Sequence, residues 1–155
     1  MTSPVVLCTD GSDLSIAALA AGLEVLDPGA RVVVVTVMDE PDPTMMTGTG
    51  FAGGVMTPEQ YDRSLEAAAD AARSDIETTR AALGLSDVEA HTLQGGAGPA
   101  ICAYAAEVGA RAIVVGSRGR GGIKRAVLGS VSDHIVRNAP CPVLVTGEQG
   151  ARAAD

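Results

Sequence analysis

Aromatic side chains are almost missing from this 155-residue chain, which has no tryptophan, two tyrosines and one phenylalanine. Proteins that hold single-stranded nucleic acids stack the bases on aromatic rings, so that mode of binding has almost nothing to use here. The formal net charge of −8 at neutral pH would also repel a long polyanion. We therefore expect no nucleic acid partner.

Long apolar runs are missing as well. No segment reaches the ~18 consecutive apolar residues that a membrane-spanning helix needs. The N-terminus shows no basic stretch followed by an apolar signal core. These two features predict no membrane partner and a cytoplasmic location. The hydrophobic fraction of 46% is enough for one well-packed domain, which we expect to span residues 1–147, with 148–155 as a flexible tail.

Cysteine is scarce, and the three that occur, Cys8, Cys102 and Cys141, are far apart in the sequence. No pair has the CxxC spacing of a metal or redox site, and an odd number does not suggest a disulfide framework. We interpret Cys8 and Cys102 as small buried hydrophobic residues. Cys141 lies between two prolines and is expected to be more accessible, without any feature that would lower its pKa.

Known catalytic signatures are also lacking. The sequence has no GxxxxGK followed by Ser or Thr and no GxSxG elbow. Gly95, Gly96 and Gly98 do not complete GxGxxG and are expected to form a tight turn. His91 and His134 are too distant in sequence to suggest a metal pair, although His134 could approach a phosphate bound near the start of its helix.

The elements that are present alternate between strands and helices, the pattern of a parallel sheet covered on both faces. Helical spacing of apolar residues and start and stop signals place helices between the strands. The long helix is expected to begin with Thr57 and Gln60 as a capping box. Residues 39–56, rich in Gly, Pro and Thr, are interpreted as a flexible loop or lid. The predicted strands are Val5–Cys8, Arg31–Val37, Val88–Leu93, Ala112–Val115 and Pro142–Thr146.

The most informative segment follows the fourth predicted strand, where glycines alternate with basic residues. Four of the eleven Lys and Arg fall within eight residues, and no Asp or Glu occurs between Glu107 and Asp133. Glycines let the backbone approach a ligand closely, and successive exposed amides can point at one anion. Ser130 is expected to cap the next helix, whose free amides would face the same segment. The basic residues are Arg118, Arg120, Lys124 and Arg125.

The spacing within this segment is specific: Gly116 and Gly119 are separated by two residues, and nine more precede Gly129 and Ser130. This pattern resembles the nucleotide-binding branch of the universal stress protein family, from VVLCTDGSD near the start to NAPCPVLVT near the end. The resemblance implies a single doubly wound α/β domain with a five-stranded parallel sheet, similar to the adenine nucleotide alpha hydrolases. It also implies ATP as the ligand, with Mg²⁺, in a regulatory or sensing role.

By the same resemblance, the glycine-rich loop would hold phosphates and ribose, while Asp10 and Val37 would contact the adenosine moiety. The sequence leaves open whether the Asp10 carboxylate binds a ribose hydroxyl or Mg²⁺. Asp10-Gly11 is also a common turn by itself, and Ser12 or Asp13 would cap the helix that follows. The implied binding residues are Thr9, Asp10, Val37, Val115, Gly116, Arg118, Gly119, Gly129, Ser130, Val131 and Ser132.

The family resemblance further implies a homodimer paired through the last strand, Pro142–Thr146, whose apolar edge would otherwise be bare. Hydrolysis of ATP is expected to be slow, because no residue evidently orients a water or acts as a base. Two other functions stay open on the sequence alone. One is an adenine nucleotide hydrolase or pyrophosphatase, and the other is a nucleotide-free module that binds a protein partner through residues 39–56.

Overall fold

The fold was analysed in a computed structural model, which describes residues 2–46, 55–119 and 128–147. Within these residues, five strands alternate with four α-helices, and a short 3₁₀ helix follows the second strand. In chain order the elements are β1 (Val5–Cys8), α1 (Asp13–Glu24), β2 (Val32–Val37), the 3₁₀ helix (Pro43–Met46), α2 (Pro58–Leu83), β3 (Ala90–Leu93), α3 (Ala97–Glu107), β4 (Ala112–Gly116), α4 (Ser130–Asn138) and β5 (Val143–Thr146).

The strands form one parallel sheet in the order β3-β2-β1-β4-β5. Val5 of β1 lies opposite Val32 on one side and Ala112 on the other, so β1 and β4 are neighbours although they are far apart in sequence. The direction of winding reverses between these two strands. In open sheets of this kind, ligands bind beyond the carboxyl ends of the strands at such a reversal.

The two faces of the sheet carry separate apolar cores. Val6 and Cys8 point to the face covered by α3 and α4, where they pack with Ile101 and Ile135. The intervening residues, of which Leu7 is one, point to the opposite face, which α1 and α2 cover. This alternation follows from the period of two in a strand, and burial on both faces explains why the central strands β1, β2 and β4 are almost continuously apolar. The predicted doubly wound α/β fold is therefore confirmed.

Several predicted boundaries shift. β3 begins at Ala90 rather than Val88, because the Val88 amide donates to the Leu85 carbonyl in a turn (3.0 Å). β5 begins at Val143 rather than Pro142, since proline has no amide to donate to the sheet. β2 begins one residue after Arg31. Each strand nevertheless occupies its predicted place in the chain.

Residues 39–56, predicted to be a flexible loop, are described at both ends. The Met56 amide donates to the Met45 carbonyl at 2.8 Å, which ties the start of α2 to the 3₁₀ helix. The capping box of α2 is confirmed: Thr57 Oγ1 accepts from the Gln60 amide, and the Gln60 side chain accepts from the Thr57 amide. A backbone hydrogen bond thus joins the two described ends of the predicted loop.

Some predictions fall on residues outside the described ranges. These include the middle of the predicted loop, the predicted tail and three of the four clustered basic residues: 47–54, 148–155, Arg120, Lys124 and Arg125. Within residues 2–46, 55–119 and 128–147, no helix combines the length and apolarity that crossing a membrane requires.

Candidate functional site

A cavity of about 540 Å³ opens at the carboxyl ends of β1, β2 and β4. This is the size of a typical pocket for a small organic ligand or cofactor. The described ends of the loop after β4, the start of α4, one face of α2 and the start of α3 form most of the rest of its wall. All eleven residues implied by the sequence line this one cavity: Thr9, Asp10, Val37, Val115, Gly116, Arg118, Gly119, Gly129, Ser130, Val131 and Ser132.

The turn after β1 places Asp10 at the cavity. Asp10 Oδ1 accepts hydrogen bonds from the Ser12 amide (3.0 Å) and the Ser12 hydroxyl (2.5 Å). Ser12 is in turn the N-cap of α1, where its side chain accepts from the Ser15 amide. The local turn expected from Asp10-Gly11-Ser12 is therefore present, and it fixes the carboxylate while leaving it on the cavity wall.

The described start of the loop after β4 lies so close to this turn that a side chain at Gly119 would force a neighbouring group to shift. A Cβ atom on Gly119 would lie 2.9 Å from Asp10 Oδ2, closer than real Cβ contacts come. Gly116 is also tightly placed, because a Cβ there would lie 3.2 Å from both the Ala18 side chain and the Arg118 carbonyl. A side chain at either of the first two glycines of the predicted pattern would therefore crowd a neighbouring group.

The third glycine, rather than Ser130, is the N-cap of α4. Gly129 has extended backbone torsions and makes no side-chain capping bond, while Ser130 is already helical, so the predicted cap was wrong by one residue. The Gly129 amide donates to the Ser117 carbonyl at 2.8 Å, which closes the loop. Ser130 consequently lines the cavity at the positive end of the helix dipole, among amides that a helix start leaves without intrahelical partners.

Ser132 and Arg118 differ in how readily their side chains could contact a ligand. Ser132 is buried, with 2% of the residue exposed. Its hydroxyl donates to the Gly129 carbonyl (3.0 Å), with a longer contact to the Ser117 carbonyl (3.4 Å). The hydroxyl therefore joins the start of α4 to the backbone at both described ends of the loop after β4. Arg118 is exposed at the rim of the cavity, where a guanidinium can contact an anion that enters from solvent.

Sequence reasoning missed the contribution of α2. One face of this helix crosses the cavity opposite the strands, and Asp39 joins it at the rim after β2. With Asp10, the cavity therefore carries three aspartates from three separate elements. No signal in the sequence joins these positions, because the crossing depends on how the long helix packs on the sheet. The missed α2 residues are Ala68, Ala71, Ala72 and Asp75.

The two histidines have structural surroundings. The His134 ring packs against α3, where a Cβ on Gly98 would lie 2.7 Å from ring carbons. His91 bonds Glu89 at 2.8 Å, and its ring centroid lies 5.4 Å from that of Tyr104. Neither histidine lines the cavity. Among the residues that the structure describes, no group of three or more His, Cys, Asp or Glu is arranged to hold a metal ion.

The cysteines show no sign of activation. Burial raises the pKa of the Cys8 thiol far above its ordinary value, although Cys8 borders the cavity. Burial also raises the pKa of Cys102 and of Cys141, both of which are only partly exposed. A raised pKa keeps a thiol protonated and therefore weakly nucleophilic. Cys8 is buried as interpreted from the sequence, while Cys102, also expected to be buried, is only partly buried and packs against the core, as does Cys141.

Gly11 offers a first test of the turn. Its φ of +73° is in the left-handed region, and a Cβ atom there would lie 2.2 Å from Asp75 Oδ1. We expect Gly11→Ala to lower the free energy of unfolding by about 2–3 kcal/mol, from backbone strain together with displacement of Asp75. Gly84→Ala is the matched control, since Gly84 has a φ of +66° and open space around its Cα. That variant should lose only about 1 kcal/mol in urea denaturation. Equal losses in the two variants would show that Asp75 moves aside at no cost.

Comparison with known proteins adds an independent finding. The profile of the universal stress protein family matches residues 1–147. A universal stress protein of Bacillus subtilis, YxiE, is 31% identical over 149 residues, which cover 94% of this chain and 99% of that protein. Another, from Thermus aquaticus, is 36% identical over 146 residues, which cover 94% of this chain and 98% of that protein. A solved structure of a universal stress protein in complex with cAMP is 26% identical, with a TM-score of 0.57, covering 93% of this chain and 95% of that chain.

Proposed function

We propose that this chain, which belongs to the universal stress protein family, binds an adenine nucleotide in the cavity at the carboxyl ends of β1, β2 and β4. The observation that carries the proposal is the convergence of all eleven implied residues, from four separate segments of sequence, on that one cavity. The cAMP complex of a relative supports the same class of ligand. Most of the lining is apolar, which suits a base, and the polar residues Arg118, Ser130 and Ser132 lie on its glycine-rich side.

Within this class we propose ATP as the ligand. The glycines after β4 and the start of α4 form the part of the wall suited to phosphates, because backbone amides and the helix dipole favour negative charge there. Arg118 at the rim adds a guanidinium. Val37, at the end of β2, would lie against the base, and the Asp10 turn would meet the sugar between base and phosphates.

Mg²⁺ fits this donor set only together with the nucleotide. Magnesium is commonly held by one or two carboxylates, with phosphate oxygens and waters as its other ligands. The Asp10 carboxylate is the candidate from this chain, and when bound the ion would neutralise part of the triphosphate charge. Three aspartates on the wall would otherwise repel a free triphosphate, so Mg²⁺ should strengthen the binding of ATP more than that of AMP.

A regulatory or sensing role suits the site better than rapid catalysis. Among the described residues that line the cavity there is no histidine or lysine. Of its three aspartates, Asp10 already accepts two bonds from Ser12, Asp75 lies against Gly11, and Asp39 is exposed at the rim. A general base must lie within hydrogen-bond reach of the proton that it removes. We therefore propose slow hydrolysis or none. Rapid release of phosphate that disappears in Asp10→Ala would instead favour the hydrolase alternative.

The decisive experiment begins with the purified protein. Denaturation should release a stoichiometric adenine nucleotide, detected by absorbance at 260 nm, where a chain without tryptophan absorbs little, and identified by mass spectrometry. The extracted protein should then show a thermal shift with ATP that is larger with Mg²⁺. At ~100 times Kd the bound ligand adds ~2.7 kcal/mol of stability. No nucleotide in the extract and no shift with millimolar ATP, ADP, AMP or cAMP would reject the proposal and favour a protein-interaction module.

We also propose a homodimer through the edge of β5. This strand is the last in the sheet, and its residues Val143–Thr146 are only partly buried although three of the four are apolar. Pairing of two such edges would satisfy backbone groups and cover the apolar side chains. Sedimentation velocity at micromolar concentration should give a dimer, and a monomer throughout would contradict this part of the proposal. A cytoplasmic location and the lack of a nucleic acid partner stay predictions.

A further inference from the structure

We infer that Thr79, a residue of α2 outside the cavity lining, is a positioning residue for the Asp10 turn. This inference rests on the proposed nucleotide site, because its functional consequence is an effect on nucleotide affinity. Thr79 is fully buried, with 0% exposure. Its hydroxyl lies 2.7 Å from the hydroxyl of Thr9, at the end of β1 and 70 positions earlier in the chain.

The direction of this hydrogen bond follows from the other partner of Thr79. The Thr79 hydroxyl donates to the Asp75 carbonyl, one turn earlier in α2, at 2.8 Å. A hydroxyl has one proton to donate. Thr9 must therefore donate its proton to Thr79, and both lone pairs of Thr9 Oγ1 are left to accept.

Both of those acceptor positions are used to hold the turn. Thr9 Oγ1 accepts from the Gly11 amide at 3.0 Å and from the Ser15 hydroxyl at 3.1 Å. The Ser15 oxygen in turn lies 3.3 Å from the Asp10 amide, as its acceptor. The hydroxyl of Thr9 is thus fully satisfied. The Gly11 amide bonds it directly, and the Asp10 amide is linked to it through the Ser15 hydroxyl.

Thr79 fixes that orientation. If the Thr79 hydroxyl were replaced by a methyl group, the Thr9 hydroxyl would lose its acceptor. Rotating its proton away from the methyl group would then displace one of the two hydrogen bonds that Thr9 accepts from the turn. A buried polar group left without a partner costs more than the net value of the bond it made. The expected response is rotation of Thr9, with loss of the Gly11 or Ser15 bond and movement of the Asp10 carboxylate.

The surroundings of the turn make this movement matter for the ligand. On one side the Asp75 carboxylate lies against Gly11, and on the other the Asp10 carboxylate lies against Gly119 of the loop after β4. A shift of the turn would therefore alter both walls of the cavity at once. In this way α2 would influence nucleotide affinity through Thr9 without Thr79 touching the nucleotide.

The experiment compares three variants of the full chain by calorimetric titration with MgATP and by amide NMR. Thr79→Val keeps the shape and removes the hydroxyl; we expect Kd to rise about tenfold, the factor that corresponds to one lost hydrogen bond. Thr79→Ser restores the acceptor and should bind within about threefold of the wild type. Ile76→Val is the control, because it removes one methylene from the same buried face of α2 and leaves every hydroxyl in place.

The Gly11 amide resonance separates this inference from the nucleotide proposal, since it can be followed without ligand. It should move in Thr79→Val and stay in place in Thr79→Ser and Ile76→Val. If the wild type binds MgATP but Thr79→Val binds equally well with an unmoved Gly11 resonance, the positioning role is wrong. A similar loss of affinity in Ile76→Val would also overturn it, because the effect would then be general loosening of α2. If the wild type binds no nucleotide, the proposed function fails and the affinity role of Thr79 falls with it, while the resonance still shows whether the hydroxyl pair holds the turn.

Discussion

Replacing Gly119 with valine is expected to raise the Kd for MgATP at least a hundredfold, a loss of about 2.7 kcal/mol of binding free energy. A Cβ atom at this position would lie 2.9 Å from Asp10 Oδ2. A flexible side chain could move aside, but the other oxygen of this carboxylate is held by the Ser12 amide and hydroxyl. Either the Asp10 turn or the loop after β4 must therefore shift, and valine methyl groups would also enter the cavity.

The stability of the unliganded protein should change much less than its affinity. Gly119 is partly exposed and lies in a loop, where substitutions that create no buried polar group or core cavity usually have small effects. Gly29→Val is the matched control, because a Cβ there meets no atom within 4 Å and Gly29 lies outside the cavity lining. Calorimetric titration measures Kd, and urea denaturation measures stability. A Gly119→Val protein with a Kd for MgATP within threefold of the wild-type value would show that this loop does not hold the phosphates.

The close approach at Gly119 also shows how much of the site could be predicted from the sequence. Glycine spacing marks the positions where the backbone comes near something else, and the resemblance supplied a ligand as that neighbour. The structure adds the Asp10 carboxylate as a neighbour within the protein itself. The proposed ligand and the Asp10 carboxylate would each favour a glycine at position 119, and the sequence pattern alone cannot separate the two.

The fold was predictable because its central strands are short and buried on both faces, and because helix signals separate all five strands. Errors fell at element ends, where a single backbone torsion decides the assignment. Gly129 has a φ of −71° and a ψ of 163° and is the cap, while Ser130 is already in the helix. Serine is a preferred N-cap residue, which favours Ser130 as the cap. The hydrogen bond from the Gly129 amide to the Ser117 carbonyl instead places the start of the helix so that Gly129 is the cap.

The contribution of α2 could not be predicted for a different reason. Its amphipathic pattern predicts which face is buried but says nothing about what that face meets. Thr79 pairs with Thr9 across 70 positions of sequence, and Asp75 meets Gly11 across 64, so both contacts depend on the packing of the whole helix on the sheet. Local propensity and spacing contain no information at that range.

The same limit applies to the contact between Gly22 of α1 and the sheet. A Cβ atom at Gly22 would lie 2.4 Å from Val114 Cγ1 of β4, while the next nearest atoms are at ordinary distances of 3.7 Å or more. Alanine normally stabilises a helix interior relative to glycine by about 0.5–1 kcal/mol. Here we expect Gly22→Ala to lower the free energy of unfolding by about 1–3 kcal/mol instead, because the added methyl overfills the core.

A double-mutant cycle makes this prediction specific to one contact. Val114→Ala alone should cost about 2–3 kcal/mol, since Val114 is fully buried and its loss leaves a cavity. In the double variant the methyl group introduced by Gly22→Ala would occupy the space of the missing Val114 methyl. The combined loss in urea denaturation should therefore be smaller than the sum of the single losses by about 1–3 kcal/mol.

Val33→Ala supplies the control for this cycle, because Val33 is equally buried but packs in the core on the opposite face of the sheet. Paired with Gly22→Ala, it should be additive within about 0.5 kcal/mol. Additive losses in both pairs would mean that α1 slides along the sheet to relieve the clash. Such a slide would also displace Ser12 and Ser15 at the other end of α1, and the Asp10 turn with them, so its cost would appear in nucleotide affinity as well as in stability.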